Sequence, residues 1–70
     1  MFVEVFKTNV KEKDIANKII DDLAKSMPQS KINFDLTDCD KILRIENSTH
    51  IQVKSVSDQI MSWGYFCEIL

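Results

Sequence analysis

Residues 31–46, KINFDLTDCDKILRIE, decide the fold of this chain. Apolar residues alternate with polar ones over residues 31–37, which is typical of a half-buried strand. Residues 38–41 predict a turn, because aspartate side chains readily bond to nearby backbone groups. A second alternating strand follows over residues 42–46. The stretch therefore predicts a β-hairpin with one buried face.

A predicted helix lies on each side of this hairpin. Over residues 14–27, apolar side chains recur every three or four positions, Asp14 is the expected N-cap and Pro28 ends the helix. The second predicted helix begins somewhere in residues 49–53 and ends at Trp63, where Gly64 is suited to terminate it. Both helices are amphipathic, so each has one face to bury.

Two further strands, at residues 1–7 and 65–70, complete a βαββαβ order. This order predicts a ferredoxin-like α+β sandwich, in which a four-stranded antiparallel sheet of order 4-1-3-2 has both helices on one face. The residues that we expect in the core share apolar side chains on the inward faces: Ile19, Leu23, Phe34, Leu36, Leu43, Val56 and Ile60.

Length and composition limit the functions that fit this chain. It has 70 residues and a formal net charge of −2, so we expect one domain over residues 1–70 without the basic face of a nucleic-acid binder. Its apolar stretches are far shorter than the roughly 20 residues that span a bilayer. The start has no pattern of a secretory leader, so we expect a cytoplasmic protein with reduced thiols and no membrane insertion. Without a visible nucleophile–base pair or glycine-rich loop, we expect neither an enzyme nor a cofactor.

Several short motifs, in order along nearly the whole chain, resemble the heavy-metal-associated domain family of copper chaperones and metal-ATPase modules. They are Phe6-Lys7-Thr8-Asn9-Val10 at the end of the first strand, the hairpin with Phe34-Asp35-Leu36 and Asp40-Lys41-Ile42-Leu43, and Gly64-Tyr65. The resemblance implies the ferredoxin-like fold. It also implies a Cys-x-x-Cys metal site just after the first motif.

The two positions that correspond to the cysteines of the family hold Glu12 and Ile15. A soft ion such as Cu(I) prefers thiolate ligands, and isoleucine has no ligand atom at all. We therefore expect a degenerate member of the family that has lost the metal site.

The two cysteines of the chain lie elsewhere. Cys39 falls in the predicted turn, at the same end of the fold as the lost site, together with Asp38 and Asp40. This cluster is the alternative, relocated metal site, although each residue also suits an ordinary turn. Cys67 is expected to be a small buried side chain in the last strand.

The sheet face that points away from the helices carries more apolar side chains than a solvent-exposed face needs. If Phe6 and Leu43 face the helices, an outward set of Val3, Val5, Ile42, Phe66 and Leu70 remains on three adjacent strands. Large exposed apolar patches usually mark interaction surfaces. We refer to these five residues as the outer face set.

Three functional hypotheses follow. The leading one is a non-catalytic interaction module that binds itself or another protein through the outer face set or through the edge of the last strand. The second is a metal-handling protein that uses Cys39 and nearby carboxylates. The third, which rests on fold analogy alone, is a regulatory domain that binds a small ligand.

Overall fold

The computed structural model describes residues 1–37 and 39–70, and these residues form the predicted α+β ferredoxin-like arrangement. All neighbouring strands pair antiparallel in one sheet of order β2-β3-β1-β4, which is the predicted order read from the opposite edge. The elements, in chain order, are β1 Phe2–Thr8, α1 Lys13–Ser26, β2 Lys31–Asp35, β3 Ile42–Asn47, α2 Val53–Ser62 and β4 Cys67–Ile69.

The register of the sheet fixes which residues face the helices. Phe6 pairs with Leu43 across β1 and β3, and Leu43 in turn pairs with Phe34 of β2. Phe6 and Leu43 are fully buried. Because side chains alternate along a strand, Val3 and Val5 must point to the opposite, outer face.

The core lies between the sheet and the two helices. Five of the seven expected core residues are buried, namely Ile19, Leu23, Leu43, Val56 and Ile60. Phe34 and Leu36 are only half-buried, contrary to the prediction. Phe34 lies on β2, an edge strand, and Leu36 lies just beyond its end, so neither is enclosed by strands on both sides.

Helix α1 begins one residue earlier than predicted, and Asp14 is not its N-cap. Glu12 takes that position, and its backbone carbonyl accepts a hydrogen bond from the Ala16 N–H at 3.0 Å. The Glu12 side chain makes no capping bond. Asp14 lies in the first turn, where its charge still complements the helix dipole.

Two strands are shorter than predicted because side chains intervene at their ends. β2 stops at Asp35, whose carboxylate accepts hydrogen bonds from the Thr37 N–H at 3.2 Å and from the Thr37 hydroxyl at 2.7 Å. β4 begins only at Cys67, because the preceding Phe66 N–H donates to a side chain rather than to a strand.

Candidate functional site

The functional hypotheses concern two regions of the fold. The first is the end of the molecule where the β1–α1, β2–β3 and α2–β4 loops meet. The Thr8 N–H donates to the Asp40 carbonyl at 3.1 Å, and the Thr8 hydroxyl donates to the Lys41 carbonyl at 2.6 Å. Thr8 itself is buried. These bonds hold the end of β1 against the turn between β2 and β3.

Asn9 connects the third loop to the same end. Its side-chain oxygen accepts a hydrogen bond from the Phe66 N–H at 2.7 Å, which joins residues 57 positions apart. The β1–α1, β2–β3 and α2–β4 loops therefore meet at this end of the fold. Thr8 and Asn9, which belong to the first motif of the resemblance, have structural roles in this arrangement.

The two positions that would correspond to a Cys-x-x-Cys motif lie at the start of α1. Glu12 is exposed at the N-cap, whereas Ile15 is half-buried and packs against the core. The side chains at these positions are thus one solvated carboxylate and one hydrocarbon. They supply no pair of soft ligands for Cu(I).

The alternative metal site at the β2–β3 turn is only partly described. Cys39 is exposed, and an Asp40 carboxylate oxygen lies 3.7 Å from the Lys7 ammonium nitrogen. Asp38 lies outside the residues that the structure describes. Among the described residues, no group of three His, Cys, Asp or Glu side chains is arranged to hold a metal ion.

Cys67 is buried, as expected, at the start of β4. Burial raises the pKa of its thiol, because the interior disfavours the thiolate, and a hydrogen bond with the Ser57 side chain partly offsets this effect. Since the thiolate is the reactive form, Cys67 has two reasons to react slowly.

The difference between exposed Cys39 and buried Cys67 predicts that alkylating reagents will modify the two thiols at different rates. We expect iodoacetamide to modify Cys39 in the native protein well before Cys67, and both cysteines at similar rates in denaturant. Mass mapping of the modified peptides over time would measure the two rates. Equal rates in the native protein would contradict the burial of Cys67.

The second region is the outer face of the sheet. The register pairs Val3 with Glu46, Val5 with Arg44 and Ile42 with Asp35, so all six of these residues lie on the side away from the helices. The Leu70 N–H donates to the Val5 carbonyl at 2.9 Å, which places Leu70 beside Val5 on the neighbouring strand.

The outer face set differs in exposure. Val3 is 44% exposed, Phe66 44% and Leu70 65%, whereas Val5 and Ile42 are half-buried by their neighbours. Because Phe6 and Leu43 are buried and paired, Val3 and Val5 lie on the outer face, as predicted. Phe2 and Phe6 share the helix-facing side.

Charged residues separate the apolar side chains on this face. The strand registers place three acidic and three basic residues there, which are Asp35, Glu46, Glu68, Lys7, Lys31 and Arg44. Arg44 Nε lies 3.7 Å from a Glu46 carboxylate oxygen. The face is therefore a mixture of apolar and charged side chains with no net charge, rather than one continuous apolar patch.

The edge at β4 adds to this surface. β4 pairs with β1 on one side and is the last strand of the sheet, so its other side is open within the described chain. Unpaired strand edges readily accept another strand. Phe66 and Leu70, which flank β4, are both exposed. Ile69 is exposed as well, but it pairs with Phe6 and therefore lies on the helix-facing side.

Comparisons with protein-family models, with curated proteins and with solved structures find no match to this chain. In the part of the chain that the structure describes, neither helix is long and apolar enough to cross a membrane.

Proposed function

We propose that this chain is a non-catalytic interaction module on a heavy-metal-associated type of scaffold without the metal site of that family. Its partner is a second copy of the same chain, which docks on the outer face set and the adjoining β4 edge. The observation that carries the proposal is the exposure of Val3, Phe66 and Leu70 around the open edge of the sheet.

The charge distribution supports a second copy rather than a strongly charged partner. Equal numbers of acidic and basic residues lie on the outer face. In a two-fold symmetric dimer the same surface meets itself, so a balanced face can place opposite charges against each other. A strongly acidic or basic partner would gain little from this surface.

The exposed apolar side chains of the outer face set favour a moderate interaction. Burial of the exposed parts of Val3, Phe66 and Leu70 would gain about 25 cal/mol for each Å² of apolar surface removed from water. The loss of translational and rotational freedom on association costs about 4–15 kcal/mol, and side-chain ordering adds to that cost. We therefore expect dissociation constants near micromolar.

Glutamate substitutions on the outer face test this proposal. Val5→Glu and Phe66→Glu should each shift the protein to monomer, because the dimer would have to bury an added charge without a partner. Sedimentation velocity over a range of concentrations would measure the shift. Far-ultraviolet circular dichroism should stay unchanged, since neither side chain is part of the buried core.

Met61→Glu is the matched control. Met61 is 58% exposed, but it lies on α2 in the helical layer, on the other side of the sheet from the outer face set. We expect this variant to associate like the unmodified protein. If Met61→Glu dissociates the dimer while Val5→Glu and Phe66→Glu do not, the interface is on the helical layer and the proposal is wrong.

A further inference from the structure

A cleft of about 460 Å³ opens at the end of the molecule opposite the three loops. The end of α1, the end of β3 and the first turns of α2 form its walls. A volume of this size lies in the range of sites that hold small molecules. The outer face set does not contribute to the described lining.

The described lining of this cleft is uncharged and mixes polar with apolar side chains. None of the described lining residues is Asp, Glu, Lys or Arg, although these four types make up 29% of the chain. A charged ligand would enter without an opposite charge to compensate its lost hydration, which is costly. Four of the lining side chains are carboxamides, namely Gln29, Asn47, Gln52 and Gln59.

Gln59 has unused hydrogen-bonding capacity. Its amide nitrogen donates to the Ser26 hydroxyl oxygen at 2.7 Å, which orients the amide group. The amide oxygen is shielded from solvent and has no hydrogen-bond partner. A buried acceptor without a donor is unusual in a folded protein. A rotation of the side chain that turns this oxygen into the cleft would let a ligand N–H satisfy it.

The remaining walls suit a flat molecule. Met27, Pro28 and Val56 provide apolar contacts. The His50 ring lines the cleft and lies against the Phe2 ring, with centroids 4.3 Å apart and planes inclined by 34°. This contact restricts the orientation of the imidazole ring, which is a planar group in the lining.

We propose that this cleft binds a small, planar, uncharged molecule that presents an N–H donor beside a carbonyl or ring-nitrogen acceptor, as carboxamides and nucleobases do. Asparagine and glutamine side chains carry the complementary pair of one acceptor and one donor group. The same pairing allows these side chains to read the edge of a base. The site is independent of self-association, so Val5→Glu should bind the same molecules.

Matched pairs of probes test the inference on the full chain. Nicotinamide and uracil carry the neutral amide edge, whereas nicotinate and orotate carry a carboxylate on the same rings. In NMR titrations of isotope-labelled protein, we expect either neutral probe to shift the side-chain amide signals of Gln59 and Asn47 and to saturate below about 10 mM. The acids should bind at least about ten-fold more weakly. Response to nicotinamide alone or to uracil alone would distinguish the carboxamide source from the nucleobase source.

Two variants of Gln59 make the test specific. Gln59→Met keeps the length of the side chain but removes the amide, and Gln59→Glu keeps its shape but adds a charge; each should weaken binding at least about ten-fold. Asn17→Met, on an exposed part of α1 outside the described lining, is the control and should bind normally. The inference is overturned if neither neutral probe saturates, if the acids bind equally well, or if a folded Gln59 variant keeps full affinity.

Discussion

Leu23→Ala is expected to lower the free energy of unfolding by about 2–5 kcal/mol. Leu23 is fully buried in the middle of α1, on the face that packs against the sheet. A domain of this length has a total stability of only about 4–10 kcal/mol, so this one truncation removes a large share of it. Urea unfolding followed by circular dichroism would measure the change.

The same substitution at a half-buried position provides the control. Leu36 lies just beyond the end of β2 and is only partly covered, so Leu36→Ala should cost less than half as much. A cost below about 1 kcal/mol for Leu23→Ala would show that α1 turns a different face to the sheet.

The second large effect concerns copper. We expect the unmodified, reduced chain to lose Cu(I) to a competing chelator, and the double variant Glu12→Cys/Ile15→Cys to retain it. Positions 12 and 15 are three residues apart at the start of α1, where side chains at this spacing are neighbours. The N-terminal end of a helix also favours thiolates. Competition with a coloured Cu(I) chelator would report the metal that each protein retains.

The control is Glu12→Cys combined with Cys39→Ser, which should not retain Cu(I), since the one exposed thiolate left at this end of the fold cannot form the two-coordinate site. Ile15→Cys removes hydrocarbon that packs against the core, so the folding of the double variant must be checked by circular dichroism. One tightly held Cu(I) in the unmodified chain would contradict this expectation. It would favour the relocated site at Cys39, Asp38 and Asp40.

The fold was predictable because its signals are local. The alternation in the hairpin, the helical spacing and the turn residues each depend on neighbours within a few positions, and together they leave one simple topology. The parity of β1 was less determined, since Phe2, Val3, Val5 and Phe6 put apolar residues on both faces. The cross-strand pairing of Phe6 with buried Leu43 resolves that choice.

Other features could not be predicted, either because the partners are distant in sequence or because no residue type marks the conformation. The Trp63 indole nitrogen donates to an Asp22 carboxylate oxygen at 3.1 Å, so Trp63 lies at the surface between the helices rather than in the core. Lys41 adopts a positive φ of 48°. Glycine or asparagine at this position would have indicated such a conformation, whereas lysine does not. Its ammonium group donates to the Leu36 carbonyl at 2.9 Å, which helps to hold this turn.

The candidate sites, like the fold, are only partly predictable from the sequence. The outer face set follows from strand parity, but the charged residues between its members become evident only from the register. The sequence alone does not indicate the uncharged cleft. Its lining comes from three separate segments of the chain, and no one of them carries a motif that indicates a ligand.

Sedimentation equilibrium of the unmodified, reduced protein at about 100 μM tests the central claim most directly. If the outer face set and the β4 edge bind a second copy with a dissociation constant near micromolar, most of the protein should sediment as a dimer of the 8.1 kDa chain. The apparent mass should fall toward that of one chain on dilution. A monomer at this concentration would contradict self-association through the outer face.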